Sequence, residues 1–360
     1  MLIKMQVGEQ DRGELQVNVT DSDNAPIRDA RVTISEPETA INPNSPIERL
    51  ETDVSGQTQI VDLNTPPLEY SLNENNENMP YANYNIQIEV PGYETENIRN
   101  VEILPDSLSL QNVRMRKREG EQVENIDIDP HTLYAEYPEK IPEDEIKDVN
   151  EPGEIVLSRV VIPEYVVVHN GTPSSNARDY YVTYKDYIKN VASSEIYATW
   201  PRATIEANVL AIISFTLNRV YTECYRNQGY DFTITSSTAY DQKWIYGRNI
   251  FQSISDVVEE MFQNYLSRPN VRQPILTQYC DGQRVTCSNW LSQWGSKYLG
   301  DQNYETIEIL RYYYGDNMFI NTAEEISGIP ASWPRYNLEV GAAGDKVRQI
   351  QEQLARISQA

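Results

Sequence analysis

Between residues 13 and 117, apolar and polar positions alternate in short runs: ELQVNVT, ARVTISE, GQTQIVDL, YNIQIEV, NIRNVEIL and LSLQNVRM. A period of two puts every second side chain on one face, so each run reads as a half-buried strand. Asn24, Ser55-Gly56, Asn75-Asn76 and Pro91-Gly92 separate the runs and supply turn signals. Several short strands at this spacing predict a small all-β sandwich over residues 1–118.

From about residue 155 the texture changes. IVLSRVVIPEYVVVHNG and YYVTY are strand-like, with Asn170-Gly171 as a turn signal. Helical periods follow. In DYIKNVASSEIY, taking Ile188 as the origin, Val191 lies at about 300°, Ala192 at about 40° and Glu195 at about 340°. A carboxylate therefore sits at the centre of an apolar stripe. Thr199 and Trp200-Pro201 signal a new helix start. The helix over 203–226 buries Ile205, Val209, Ile212, Ile213, Thr216 and Val220. In ISDVVEEMFQNYL the inward positions are Ile254, Val257, Val258, Met261 and Tyr265, and ETIEILRYYYG is a shorter helix ending near Gly315. The expected architecture is multidomain: an all-β sandwich over 1–118, a linker over 119–154 and an α+β domain over 155–328.

Charge sharpens the middle of this scheme. The chain has 360 residues and a formal net charge of −24. Residues 121–160 hold 12 acids against 3 bases and carry Pro130, Pro138, Pro142 and Pro152. That stretch reads as an extended, solvated spacer. So acidic a chain is a poor nucleic-acid binder, because phosphate contacts need clustered Lys and Arg. No apolar run approaches the roughly 18 residues of a membrane span, and no secretory signal is visible. Two histidines exclude a three-His zinc site, and three cysteines are too few for a disulfide scaffold.

Three resemblances add expectations. APIRDARVTI, TDVSGQTQI and YNIQIEVPGYE resemble the carboxypeptidase regulatory-like, transthyretin-like sandwich family. That family implies a spacer or binding module, with a protein partner as one role. DYIKNVASSEIYATWPRATIEANVLAIISFTLNR, LSQWGSKYL and YETIEILRYYYGD resemble, in order, three motifs of the SpoIID/LytB family of sporulation lytic transglycosylases. YNLEVGAAGDKVRQIQEQLARISQA, with Asp345 capping a helix, resembles the first helix of a peptidoglycan-binding domain, placed at 336–360 and truncated there.

The SpoIID/LytB resemblance implies that Glu195 is the catalytic acid, that peptidoglycan glycan strands are the substrate and that no cofactor is required. It also implies a location at the cell wall, in the spore or outside the cell. A buried carboxyl is biased to its protonated form and can donate a proton to a glycosidic oxygen. Ser292 and Gln293 match the family's Ser-Gln pair and offer hydrogen bonds to sugar groups. Tyr240, Trp294, Tyr313 and Tyr314 could stack on sugar faces or simply pack. Basic family positions are replaced by Glu206, Asn208 and Ile213, which supports a rival reading: a non-catalytic wall-binding or appendage protein. Glu206 itself reads as a substrate-tuning change or as a solvent-facing Glu. Cys280 and Cys287 are left open between a disulfide, a thiol pair and a weak zinc site. Cys224, on the long helix, His131 and His169 read as structural.

Overall fold

The computed structural model describes residues 11–38, 40, 44–118, 123–146 and 160–325. Each alternating run becomes a strand. Four come first: β1 (Asp11–Thr20), β2 (Arg31–Ser35), β3 (Pro46–Glu51) and β4 (Val61–Thr65). A single-turn helix α1 (Glu69–Leu72) precedes β5 (Ala82–Glu89), β6 (Thr95–Ile103), β7 (Leu108–Arg114) and β8 (Val123–Asp127). One sheet runs β3-β2-β5-β6-β8. In the other, β1 lies between β4, antiparallel, and β7, parallel. Leu15, Val17 and Val19 of β1 and Val32, Ile34, Ile86 and Ile88 of β2 and β5 are buried in one common core. The sandwich expected from the alternation is the architecture of this region.

The second region opens with β9 (Val161–Ile162), β10 (Tyr165–His169) and β11 (Asp179–Thr183). Helices α2 (Tyr184–Glu195) and α3 (Arg202–Tyr221) follow, then β12 (Ile234–Thr235), β13 (Ile250–Phe251) and α4 (Gln252–Met261). It closes with β14 (Asn264–Ser267), β15 (Tyr279–Cys280), β16 (Leu291–Ser292), α5 (Gln293–Asp301), α6 (Thr306–Tyr314), β17 (Phe319–Thr322) and β18 (Glu324–Glu325). Helix α3 is its axis. Ala207, Val209, Ala211, Ile213, Phe215 and Leu217 are all fully buried, as in a helix covered on every side. Helices α2, α4, α5 and α6 pack around it.

Two helix ends differ from expectation. Helix α3 stops at Tyr221, where the Thr222 N–H bonds to the Asn218 carbonyl and Glu223 turns to φ 49°. Cys224 is therefore not on the helix, and it is half-buried. Helix α4 stops at Met261, and Tyr265 is buried on β14, paired with β17. The apolar spacing continues smoothly from helix into strand there, so periodicity alone does not mark the change.

The two regions are joined more closely than the expected linker implies. Strand β13 adds to the sandwich by pairing antiparallel with β7, Ile250 opposite Leu110. Ile245 enters the sandwich core, while Tyr81 and Leu104 enter the helical one. Arg248 donates to Glu102 across the junction at 2.6 Å, with both side chains essentially fully buried.

The described part of the acidic stretch is not a solvated spacer. His131, Leu133, Tyr137 and Lys140 are buried against the helical region. Two of its acids miss the sequence rule because they are paired: Glu143 bonds Arg219, and Glu145 bonds Arg268. The segment expected as a peptidoglycan-binding helix, 336–360, lies outside the described residues.

Candidate active site

Helix α2 starts at Thr183, whose hydroxyl caps the Asp186 N–H, and ends at Glu195, after which Ile196 is extended. Its last three residues, Ser193, Ser194 and Glu195, are fully buried. A helix C-terminus carries partial negative charge, so a buried carboxylate there is doubly disfavoured. One oxygen, Oε1, accepts a 2.6 Å hydrogen bond from the Lys243 backbone N–H. The other, Oε2, is buried and has no hydrogen-bond partner of regular geometry. Burial raises the Glu195 carboxyl to about 6. The Lys140 ammonium, the Lys243 N–H and the Tyr279 hydroxyl partly offset that rise.

Three side chains surround this acid. The Lys140 ammonium lies over the Tyr279 ring, 4.6 Å from its centroid, and donates to the Asp241 carbonyl at 2.6 Å. Burial pulls Lys140 down to about 8, against the opposing pull of Glu195. The Tyr137 and Tyr279 hydroxyls are pushed well above the usual phenol range, by burial first and by the Glu195 charge next. Both therefore remain protonated donors; the Tyr279 hydroxyl faces Glu195 outside regular hydrogen-bond geometry, and the Tyr137 hydroxyl is buried without a hydrogen-bond partner. Lys140, Tyr137 and Tyr279 were not selected from the sequence. Only Lys140 carried a signal, as the one base between residues 129 and 146.

The expected substrate residues divide. Gln293 is fully buried, and both its amide atoms lack partners. Trp294 packs 4.9 Å from Trp200 and also meets Tyr197, leaving its indole N–H unpartnered. These two keep free hydrogen-bonding capacity. Ser292 instead caps α5, its hydroxyl accepting the Gly295 N–H at 2.9 Å. A Cβ at Gly295 would meet the Tyr313 hydroxyl at 2.3 Å, which explains the glycine. Tyr314 is a core residue whose hydroxyl donates to the Gln278 carbonyl, so it is not a sugar platform. Tyr313 and Tyr240 are half-buried.

The three departures from the family pattern are structural. Glu206 does not simply face solvent: it accepts from Arg202 at 2.8 Å and from the Thr306 hydroxyl at 2.5 Å, tying α3 to α6. Asn208 bonds Ser296 at 2.8 Å and ties α3 to α5, and Ile213 is core.

Cys280 and Cys287 form a disulfide, so their sulfurs are not available as zinc ligands. Among the described residues, no group of three or more His, Cys, Asp or Glu is placed to hold a metal ion. No helix among them is long and apolar enough to cross a membrane. His169 bonds Asp179 at 2.7 Å and the Ser175 carbonyl at 3.1 Å, closing the β10–β11 hairpin. His131 bonds the Ile196 carbonyl at 3.3 Å.

No protein-family model and no curated protein matches this chain. Among solved structures, a catechol 1,2-dioxygenase of Acinetobacter radioresistens is 15% identical with a TM-score of 0.23, over 32% of this chain and 56% of that one. The minor pilin GBS52 of Streptococcus agalactiae is 17% identical with a TM-score of 0.22, over 32% and 48%. The major pilin BcpA of Bacillus cereus is 13% identical with a TM-score of 0.21, over 30% and 29%. The chain thus spans about half the length of the dioxygenase it matches. Likenesses at this level assign no activity.

These findings correct the sequence expectation. The structural neighbours are dioxygenase and pilin domains, and nothing among the comparisons supports membership of the SpoIID/LytB family or a sporulation role. The short motifs that carried the resemblance are met here partly by structural demands: a capping Ser292, a packed Gly295 and a core Tyr314.

Proposed function

We propose that the chain cleaves glycan strands of bacterial peptidoglycan, with Glu195 serving as a single acid–base group. The observation that carries this reading is the state of Glu195: a buried carboxyl raised to about 6, beside the Lys140 ammonium and the Tyr279 and Tyr137 hydroxyls. Near neutral pH such a group is poised to give and take a proton. The protonated carboxyl would donate to the glycosidic oxygen as the C1–O bond breaks. The carboxylate would then take the proton of the muramic acid C6 hydroxyl as that oxygen closes on C1. The proton count returns to its start, no water is consumed, and the new end is a 1,6-anhydro sugar. One carboxyl suffices, whereas the paired-carboxylate mechanisms need two. Tyr279 would hold the acid, and the Gln293 amide and Trp294 indole N–H would bind sugar oxygens. The reading places the chain at the wall, outside the membrane.

A second reading is non-catalytic wall binding. The complete burial of Glu195 favours it, since an acid must touch its substrate. Digestion of purified peptidoglycan, intact and amidase-stripped, with wild type and Glu195→Gln, separates the two. Mass spectrometry should find anhydro-muramic ends from wild type alone. Reducing ends from wild type alone would change the reaction to hydrolysis. Wall binding without cleavage by either protein would establish the second reading.

A further inference from the structure

The acid of the proposed site is covered by the chain's own acidic segment, and the contacts are local to it. The Thr132 N–H and hydroxyl both donate to the carbonyl of Ser194, at 3.0 and 2.7 Å. His131 accepts the Leu133 N–H on Nδ1, so its Nε2–H donates to the Ile196 carbonyl. The segment is therefore bonded to the residue on each side of Glu195. Further along, Tyr137 and Lys140 are buried at 7% and 5% exposure, and Lys140 lies over Tyr279.

Two features distinguish this cover from ordinary core. First, residues 129–146 contain no helix or strand, and none of their hydrogen bonds belongs to a sheet ladder. The segment is held by point contacts: Lys140 to the Asp241 carbonyl, the Ile141 N–H to the Ala239 carbonyl, and Gln278 to the main chain of Ile141 and Glu143. Glu143 and Glu145 fasten its far end through Arg219 and Arg268. Such contacts can be released without unravelling a sheet or helix. Second, polar groups at the seam between this segment and the acid are poorly satisfied. The Tyr137 hydroxyl is buried with no hydrogen-bond partner, and Glu195 Oε2 is met only by the Tyr279 hydroxyl, outside regular hydrogen-bond geometry. Leaving polar groups in that state is costly, so the closed arrangement is poorly matched to its own contents.

We propose that residues 129–146 are an autoinhibitory strap, in which Tyr137 and Lys140 occupy the space a glycan would take beside Glu195. Cleavage requires the strap to lift. The inference rests on reading Glu195 as the reacting acid, and its test is chosen to stand apart from that reading.

The test is carboxyl footprinting of the full chain with a water-soluble carbodiimide and glycinamide, read by peptide mass spectrometry. Exposed Glu136 and Glu139 serve as internal controls. In wild type, Glu195 should label far more slowly than either control. In Thr132→Val/Glu145→Gln, which removes one anchor at each end, its labelling should rise roughly tenfold while the circular dichroism spectrum is retained. Cleavage of peptidoglycan should rise in parallel. Increased labelling without cleavage by either protein would keep the strap and overturn the glycan-cleaving function instead. A folded variant with unchanged Glu195 labelling would overturn the strap. So would a variant that labels faster but cleaves more slowly than an active wild type, because the segment would then belong to the working site. Hydrogen exchange on wild type covers the case of a variant that fails to fold. The amides of Thr132, Ile141 and Glu143 should exchange well before those of α3, and equal protection would overturn the proposal.

Discussion

Replacing Glu195 by Gln should make the protein more stable at high pH, even as it removes the proposed acid. The reason is the sign of the carboxyl's displacement. Folded, Glu195 titrates at about 6 against an ordinary 4.5. The folded chain therefore holds this proton more tightly than the unfolded chain does. Its contribution to stability is greatest below 4.5, falls as pH rises from about 4.5 to about 6, and stays low above that. At 1.36 kcal/mol per pH unit, the gap amounts to about 2 kcal/mol. Gln keeps an oxygen for the Lys243 N–H, the bond that Glu195 accepts at 2.6 Å, but cannot ionise. Urea denaturation of both proteins from about pH 4 to about pH 8 measures the difference between them, and effects of other carboxylates cancel in that difference. Relative to wild type, Glu195→Gln should gain about 2 kcal/mol across this range. A flat difference, or one running the other way, would refute the reasoning. The Lys140 ammonium would then be stabilising the carboxylate by more than burial penalises it.

Cleavage should fall as pH rises through about 6, because the donor must be protonated; a rate–pH profile reads the limb directly. Arg248→Met should cost about 3–5 kcal/mol in denaturant unfolding, since it strands Glu102 in the buried junction, and Glu102→Leu/Arg248→Met should recover most of the loss. Cys287→Ser should lower stability by about 2 kcal/mol, because the disulfide closes a short loop with a sequence separation of 7; melting with and without reductant checks it. Gln293→Asn should cost only about 1 kcal/mol of stability, as one buried methylene but no hydrogen bond of that amide is lost, yet should raise KM for glycan if the amide binds sugar.

How much of this was legible in the sequence depends on which physical signal each part emits. Strands β1, β2, β5, β6 and β7 announce themselves because one face is core and the other is wet. Helix α3 is legible over most of its length as a long apolar run, as befits a helix covered on every side, and its end is not, because the turn at Glu223 needs a positive φ that no glycine marks. Glu195 stood out as a charge on an apolar stripe, and its complete burial agrees with that placement. What surrounds it was invisible. Lys140 comes from a stretch whose charge and prolines read as solvated, and charge content does not reveal that Glu143 and Glu145 find arginines far away in sequence. The family motifs misled for a related reason. A Ser at a helix start, a Gly under a tyrosine and a Tyr in a core satisfy local packing rules that many folds share.

The pairing of β13 with β7 has a mechanical consequence. Strand β13 is flanked by contacts to the acid's own helix: the Phe251 N–H donates to the Ser193 hydroxyl, two residues before Glu195. A pull exerted on the sandwich is thus carried through a hydrogen-bonded ladder into the end of α2. Among the described residues, the two regions share that force through their common sheet and cores. Severing the chain between them would leave a bare sheet edge on one piece and a core missing Tyr81 and Leu104 on the other, so neither half is an interchangeable module.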